Sequence, residues 1–350
     1  MTDAEAPRLR LGIIGCGRVV ERFHLPALQK SGDWTVAAAS DVNLERRRWF
    51  GRSVNDIPVF EDPGQMLDRV GLDAVLIATH PDLHAGLATQ AVARGLHALV
   101  EKPGGTSLIE ARAMMQAAER AGKRLWVNYN RRFMQNYRAF SAVLGTLEPG
   151  TVVRGRYALS FDPDMWDSVE GRMAAGTAGA GVILDVAPHQ MDALSWLTQR
   201  SAQSIRVLDW SHAAGQELLE YAVELGDGWS VQCLARHGPG YQEQIALEWN
   251  GGGAVLFPTG IYRHGSLGRP VRGAVVWGKH WLHRKLIRLG MAQDVIAHSF
   301  SMLWKAFAQA IGGGGELSRG DWLTILGVHT GVQAIREGWG IGGLRDTNTG

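Results

Sequence analysis

Short apolar runs alternate with amphipathic stretches through the first third of the chain. Residues 11–14, 36–40, 58–60, 73–79, 97–100 and 125–127 read as strands, the longer ones apolar without interruption and so buried on both faces. Between them, 18–29, 44–50, 63–70, 84–94 and 106–121 carry helical spacing, and Gly95 stops the fourth of these helices. Strand and helix alternate with short links, which predicts a parallel, doubly wound sheet over residues 1–126.

The pattern then changes. Residues 152–160, 204–210, 217–225, 229–235, 244–249 and 254–257 read as successive strands, several alternating in character. A stretch over 179–197 starts with glycine and becomes helical, and helices return at 280–289, 297–311 and 321–337. This predicts an α+β second domain over 127–350 with an antiparallel or mixed sheet. If one face of that sheet is bare, an apolar patch results, and a homo-oligomer is expected to cover it. Residues 312–315 read as a flexible link and 342–350 as a fraying end.

Composition narrows the class. With 45% hydrophobic and 20% charged residues among 350, the chain is folded and large enough for two domains. A net charge of +2 argues against general nucleic-acid binding. Two cysteines, Cys16 and Cys233, indicate no disulfide framework, so a cytoplasmic location is expected. No apolar run reaches the roughly 18 residues of a membrane span, and the acidic start of the chain does not read as a signal peptide. Residues 250–293 contain no Asp or Glu but seven Lys and Arg. Such a segment fits a solvated helix face, an anionic substrate or an acidic membrane surface.

The first strand ends in Gly15-Cys16-Gly17. Gly15 lets the chain turn, Gly17 lets backbone approach a ligand, and the helix that follows offers N–H groups to a pyrophosphate. Gly15, Gly17, Arg18 and Val19 are therefore expected to touch a dinucleotide. Val20 stands where a third small residue is usual. Asp41 ends the second strand at close to the roughly 20-residue spacing of a ribose-binding acid; a solvated loop acid is the plainer alternative. Asp41 would repel a 2′-phosphate, so NAD is expected, with Arg46, Arg47 and Arg48 keeping NADP open. Thr79 and His84 follow one strand end, Glu101 and Lys102 the next, and all four join the expected cofactor rim. Lys102, restricted by Pro103, could hold a substrate oxygen, or be a surface lysine at a strand end.

A second group is Asp185, His189 and Asp192, spaced to share one helix face, with Pro188 in the first turn. His189 could exchange a proton near neutral pH, with Asp185 orienting it or binding the same substrate. A capping Asp with a core His, or a carboxylate–His metal site, are the alternatives; no metal is expected. Trp166 fits a substrate-stacking residue or a core residue.

In order along the chain, Gly15-Cys16-Gly17, His24-Leu25-Pro26, Asp41, Glu101-Lys102-Pro103, residues 129–133 and Asp185-x-x-x-His189-x-x-Asp192 resemble the Gfo/Idh/MocA oxidoreductases. The resemblance implies a Rossmann domain followed by a domain with a large open, mainly antiparallel sheet. It also implies NAD(H) or NADP(H), a sugar, polyol or sugar-nucleotide substrate, and a homodimer or homotetramer. By the same resemblance Lys102, Asp185 and His189 form the catalytic group, with His189 as acid/base, and Arg132 and Trp166 stand on the substrate side. Ala187 replaces a frequent glycine. An NAD-dependent glycosidase using transient oxidation, and a non-catalytic dinucleotide sensor, remain as rival functions.

Overall fold

The computed structural model describes residues 7–162, 181–213, 216–238, 240–258, 260–265, 294–313 and 319–338. Trp166, most of the basic segment with its expected helix at 280–289, and the final residues from 339 lie outside them. The chain divides into two compact units: 1–133 with 296–326, and 134–295 with 327–350. The boundary thus falls a few residues past 126, after the turn Asn130–Phe133. A single crossing was expected, but the late segment 296–326 returns to the first unit.

The first unit holds a six-stranded parallel sheet of β1 (Leu9–Ile14), β2 (Trp34–Ser40), β3 (Val59–Phe60), β4 (Ala74–Ile77), β5 (His97–Val100) and β6 (Leu125–Val127). Their order is β3-β2-β1-β4-β5-β6. This is the doubly wound order whose ligand crevice opens at the carboxyl ends of β1 and β4. The central strands are apolar throughout because helices cover both faces: all four residues of β4 are buried.

The first helix begins at Arg18 and contains a π turn, Val20–His24, in which the Leu25 N–H reaches Val20 O, before α1 (Leu25–Gln29). Helices α2 (Leu44–Ser53), α3 (Pro63–Arg69), α4 (Pro81–Ala93) and α5 (Leu108–Ala121) follow. Side-chain caps set three starts: Asn43, Asp62 and Ser107 accept the N–H groups of their first turns. Helix α4 starts earlier than periodicity indicates because Pro81 is already in its first turn.

The second unit is built on a seven-stranded sheet. Its strands are β7 (Val153–Phe161), β8 (Ala202–Ala213), β9 (Gln216–Leu225), β10 (Trp229–His237), β11 (Gln242–Trp249), β12 (Gly252–Phe257) and β13 (Gly260–Gly265). The order is β13-β12-β11-β7-β10-β9-β8, antiparallel except where β10 meets β7. Helices α6 (Gln135–Leu144), α7 (Gly181–Asp185) and α8 (Ala187–Thr198) belong to this unit. Periodicity did not single out α6 or β13.

Helix α8 is fastened to the sheet through Gln190, which donates to the carbonyls of Tyr157 and Leu234 and accepts from Tyr221 Oη. Inward positions of β9, β10 and β11 are otherwise mainly apolar. Glu243 is an exception: it lies under α6 and accepts hydrogen bonds from Tyr137 and Tyr157, both at 2.7 Å, and from Tyr241. In the opposite phase of the strands Arg154, Arg156, Glu224, Gln244 and Glu248 are exposed. Ala158, Leu218, Ala222, Leu234 and Ala246 share that phase and are partly exposed, so this face mixes charged, amide and apolar positions.

Helix α9 (Val295–Gly312) explains why the late segment joins the first unit. Its Phe300, Leu303, Trp304 and Phe307 enter the core formed by Leu11, Ile13, Leu25, Leu28, Trp34 and Phe50. Trp34 stacks on Phe307 at 5.8 Å and donates its indole N–H to the Trp304 carbonyl at 3.0 Å. Helix α10 (Arg319–Gly338) closes the described chain.

Candidate active site

In the first unit the strand ends form one rim. Gly15 follows β1 with φ of +91°, and a Cβ there would stand 2.5 Å from the Ala78 carbonyl after β4. Only glycine fits both demands. Around Gly17, by contrast, a Cβ would meet nothing within 4 Å, so its backbone borders open space beside the start of the helix. Asp41 closes the turn from β2. One oxygen accepts the Cys16 N–H at 2.7 Å and the other the Asn43 N–H at 2.8 Å. Each carboxylate oxygen has a second lone pair available for a ribose hydroxyl. Burial pushes the Cys16 thiol up to about 12, with the Asp41 charge acting in the same direction, so it stays a neutral thiol. A tight turn, an open backbone edge, a helix start and an acid at the next strand end together fit a dinucleotide.

Lys102 leaves β5 on this rim and is partly exposed, as is Thr79 after β4. Glu101 and His84, expected as cofactor contacts, are turned into the protein. Glu101 Oε1 accepts from His24 Nε2 at 2.7 Å and from Asn128 Nδ2 at 2.6 Å, while Oε2 accepts the Lys102 N–H at 3.1 Å. Trp304 donates to His24 Nδ1 at 3.2 Å. That nitrogen therefore accepts, and Nε2 carries the hydrogen given to Glu101. Burial alone would raise the Glu101 carboxyl, but the His24 and Asn128 hydrogen bonds and the Lys102 charge outweigh it and hold it below the usual range. His84, 1% exposed, sets its two ring nitrogens against the carbonyls of Pro103 (2.7 Å) and Thr79 (3.0 Å), and burial holds it below the ordinary histidine value. Both residues brace the rim: Glu101 fixes the backbone at Lys102, and His84 ties the loop after β4 to the loop after β5.

The second unit holds the other group. Asp185 ends α7, and Val186, with φ −102° and ψ −48°, separates it from α8. Pro188 sits in the first turn of α8, and the His189 N–H returns to the Val186 carbonyl at 3.1 Å. Asp185 thus ends α7 and His189 lies in the first turn of α8, with Val186 in helical φ/ψ between them, while Asp192 is buried one turn further along α8. His189 is 7% exposed and meets the edge of Phe161 at 5.5 Å. His237, at the end of β10, donates from Nε2 to Asp185 Oδ2 at 3.1 Å. Sequence reasoning missed His237, although it continues the inward phase of Val231, Cys233 and Ala235. An ionisable residue in that phase was the available signal.

Arg132 is partly exposed, with its guanidinium 5.8 Å from the Tyr129 ring centre. Among the described residues no cluster of three His, Cys, Asp or Glu could hold a metal ion, and no helix is long and apolar enough to cross a membrane. An open hollow of about 720 Å³ lies near Arg154 and Glu248, at the opposite end of β7 from Phe161, and belongs to neither group.

Residues 9–129 match the family described as "Oxidoreductase family, NAD-binding Rossmann fold". The chain is 30% identical over 245 residues to the rhizopine catabolism protein MocA of Rhizobium meliloti, covering 69% of this chain and 71% of that protein. It is 27% identical over 340 residues to an inositol 2-dehydrogenase of Arthrobacter, covering 94% of each. In fold it is similar to scyllo-inositol dehydrogenase from Lactobacillus casei with bound NAD(H) and scyllo-inositol. The TM-score is 0.72 at 17% identity, over 95% of this chain and 97% of that one. The strand order, the glycine turn and these similarities lead to one conclusion: the chain belongs to the Gfo/Idh/MocA family of NAD-binding Rossmann-fold oxidoreductases.

Proposed function

We propose that this protein is an NAD-linked dehydrogenase acting on a CH–OH group of a sugar or polyol, with cyclic polyols such as inositols tested first. The observation that supports this most is the common rim in the first unit. Lys102 stands there at the end of β5, two strands from the glycine turn, with its backbone fixed by a buried, hydrogen-bonded Glu101. Bound NAD would supply the hydride acceptor; Gly15, Gly17, Arg18 and Val19 would hold its pyrophosphate, Asp41 would accept hydrogen bonds from its ribose hydroxyls, and Thr79 would border it.

Lys102 donates to the substrate oxygen and stabilises the negative charge that grows there as the hydroxyl proton leaves. His189 takes that proton, since an unassisted hydroxyl is far too weak an acid near neutral pH. Asp185 orients His189 or binds a neighbouring hydroxyl, and Arg132 and Trp166 serve the substrate. The named relatives act on inositols or serve rhizopine catabolism, which supports a small polyhydroxylated substrate. Two free, buried cysteines suit a cytoplasmic enzyme. A homodimer or homotetramer packed through the outward face of the second sheet completes the reading, and light scattering at micromolar concentration checks it.

The deciding experiment incubates the protein with NAD and a panel of inositols, free sugars, glycosides and sugar nucleotides, following NADH absorbance and sugar release together. Net NADH formation is expected. Sugar release without net NADH would make it a glycosidase. NAD binding without turnover anywhere in the panel would leave a dinucleotide sensor.

A further inference from the structure

The break between α7 and α8 at Val186 raises a physical question. Asp185 is the last residue of a five-residue helix, and a helix that short has little stability of its own. Its direction must be imposed from outside. Two strand-end residues of the second sheet supply the restraint. Glu217, 4% exposed at the start of β9, accepts the Val182 N–H at 2.9 Å through Oε2, and its other oxygen accepts the Trp210 indole N–H at 3.3 Å. A Cβ at Gly181 would overlap the Glu217 carboxylate, so the first residue of α7 is glycine for a steric reason. At the other end of α7, His237 Nε2 donates to Asp185. The His237 ring lies between the two carboxylates, its Nδ1 3.6 Å from Glu217 Oε2.

The register adds a second connection. His237 on β10 is paired with Phe161 on β7, and the Phe161 ring packs against His189. Strand ends thus hold Asp185 by a hydrogen bond and His189 by a ring contact, from two adjacent positions of one sheet.

We infer that His237 is a positioning residue: it fixes the Asp185 carboxylate relative to His189, with Glu217 anchoring the start of the same short helix. The inference rests on the proposed roles of Asp185 and His189. It assigns His237 no contact with substrate. A group that orients a proton-transferring partner typically influences rate more than binding, as the supporting carboxylate of a catalytic histidine does.

The test compares His237→Ala and His237→Gln with the wild type. The Gln side chain keeps an N–H donor for Asp185, whereas Ala keeps none. The first readout needs no substrate: the pH titration of the His189 ring followed by NMR in the ligand-free protein. Its midpoint should move in His237→Ala and return most of the way in His237→Gln. The second is steady-state kinetics with NAD and whichever polyol of the panel turns over. There kcat should fall about 10- to 100-fold in His237→Ala, with KM for NAD unchanged and much of the rate restored in His237→Gln. An unmoved His189 titration in His237→Ala would overturn the inference, and so would equal rates in Ala and wild type. Rate losses of the same size in Ala and Gln would also overturn it, because they would report a packing role instead of a donated hydrogen bond. Full turnover in His189→Ala would instead remove the proposed catalytic assignment, while the NMR coupling between His237 and His189 would still stand or fall by itself.

Discussion

The Asp41 carboxylate accepts the Cys16 N–H at 2.7 Å across 25 positions of sequence. The acid at the end of β2 thereby holds the middle of the glycine turn after β1, while keeping lone pairs for a ribose. In the proposed reading one side chain then serves both structure and cofactor choice. Asp41→Ala should lower stability by about 1.5–3 kcal/mol, the range for a hydrogen bond to a charged group, and should narrow the preference for NAD over NADP. Urea unfolding and calorimetric titration with both cofactors measure the two effects. Equal affinity of the wild type for NAD and NADP would remove the ribose role and leave the bracing role intact.

Gly15 and Gly17 should respond to alanine in opposite ways. At Gly15 the left-handed backbone and the Ala78 carbonyl oppose any Cβ, so Gly15→Ala should destabilise by roughly 1–3 kcal/mol or more. At Gly17 the added methyl meets no protein atom. Gly17→Ala should therefore unfold like the wild type but bind NADH more weakly, read from NADH fluorescence. Unchanged NADH affinity in a folded Gly17→Ala protein would contradict close approach of the pyrophosphate.

Acid should weaken the fold well above the pH at which carboxylates protonate. His329 in α10 is 1% exposed, and burial pushes it down to about 4. His97 is also near 4, from burial first and then from Lys123 and Arg124; its Nδ1 accepts the Arg124 N–H at 2.9 Å. In the unfolded chain both titrate near 6.5. Between these values the unfolded state binds protons that the folded state refuses, so stability is lost as pH falls from about 6.5 towards 4. At pH 5 the cost for His329 is about 2 kcal/mol, and less for the partly exposed His97. Urea midpoints at pH 7 and pH 5 should differ accordingly, and His329→Leu should reduce that difference. An identical pH dependence in His329→Leu would show that His329 gains its proton without unfolding.

The proposed chemistry predicts a separation between turnover and cofactor binding. His189→Ala should lower turnover by roughly 10² to 10⁴ with little change in NADH affinity. Lys102→Ala should be at least as damaging if it stabilises the developing oxyanion. Steady-state rates and NADH titrations of both variants decide this. Near-normal turnover by His189→Ala with cofactor bound would exclude His189 as the base.

The chain's own pattern determined the alternation of buried strands and helices in the first unit, and with it the doubly wound sheet. It also marked Gly15, Asp41 and Lys102 as strand-end residues, because a motif confined to one strand, turn and helix is local in sequence. The strands of the second unit were legible by their period of two. What only the tertiary structure decided lies at longer range. Helix α9 reads as an ordinary amphipathic helix, and nothing local says that Phe300, Trp304 and Phe307 belong to the core of the first unit. Glu101 and His84 look like rim contacts until the hydrogen bonds to His24, Asn128, Thr79 and Pro103 turn them inward. Asp185 and His189 share a helical spacing but belong to two successive helices, and His237, 52 positions beyond Asp185, supplies the hydrogen bond. The reason is the same in each case. Periodicity reports which side of an element is buried, but a buried polar group requires a specific partner, and that partner is chosen by which strands and helices the fold brings together.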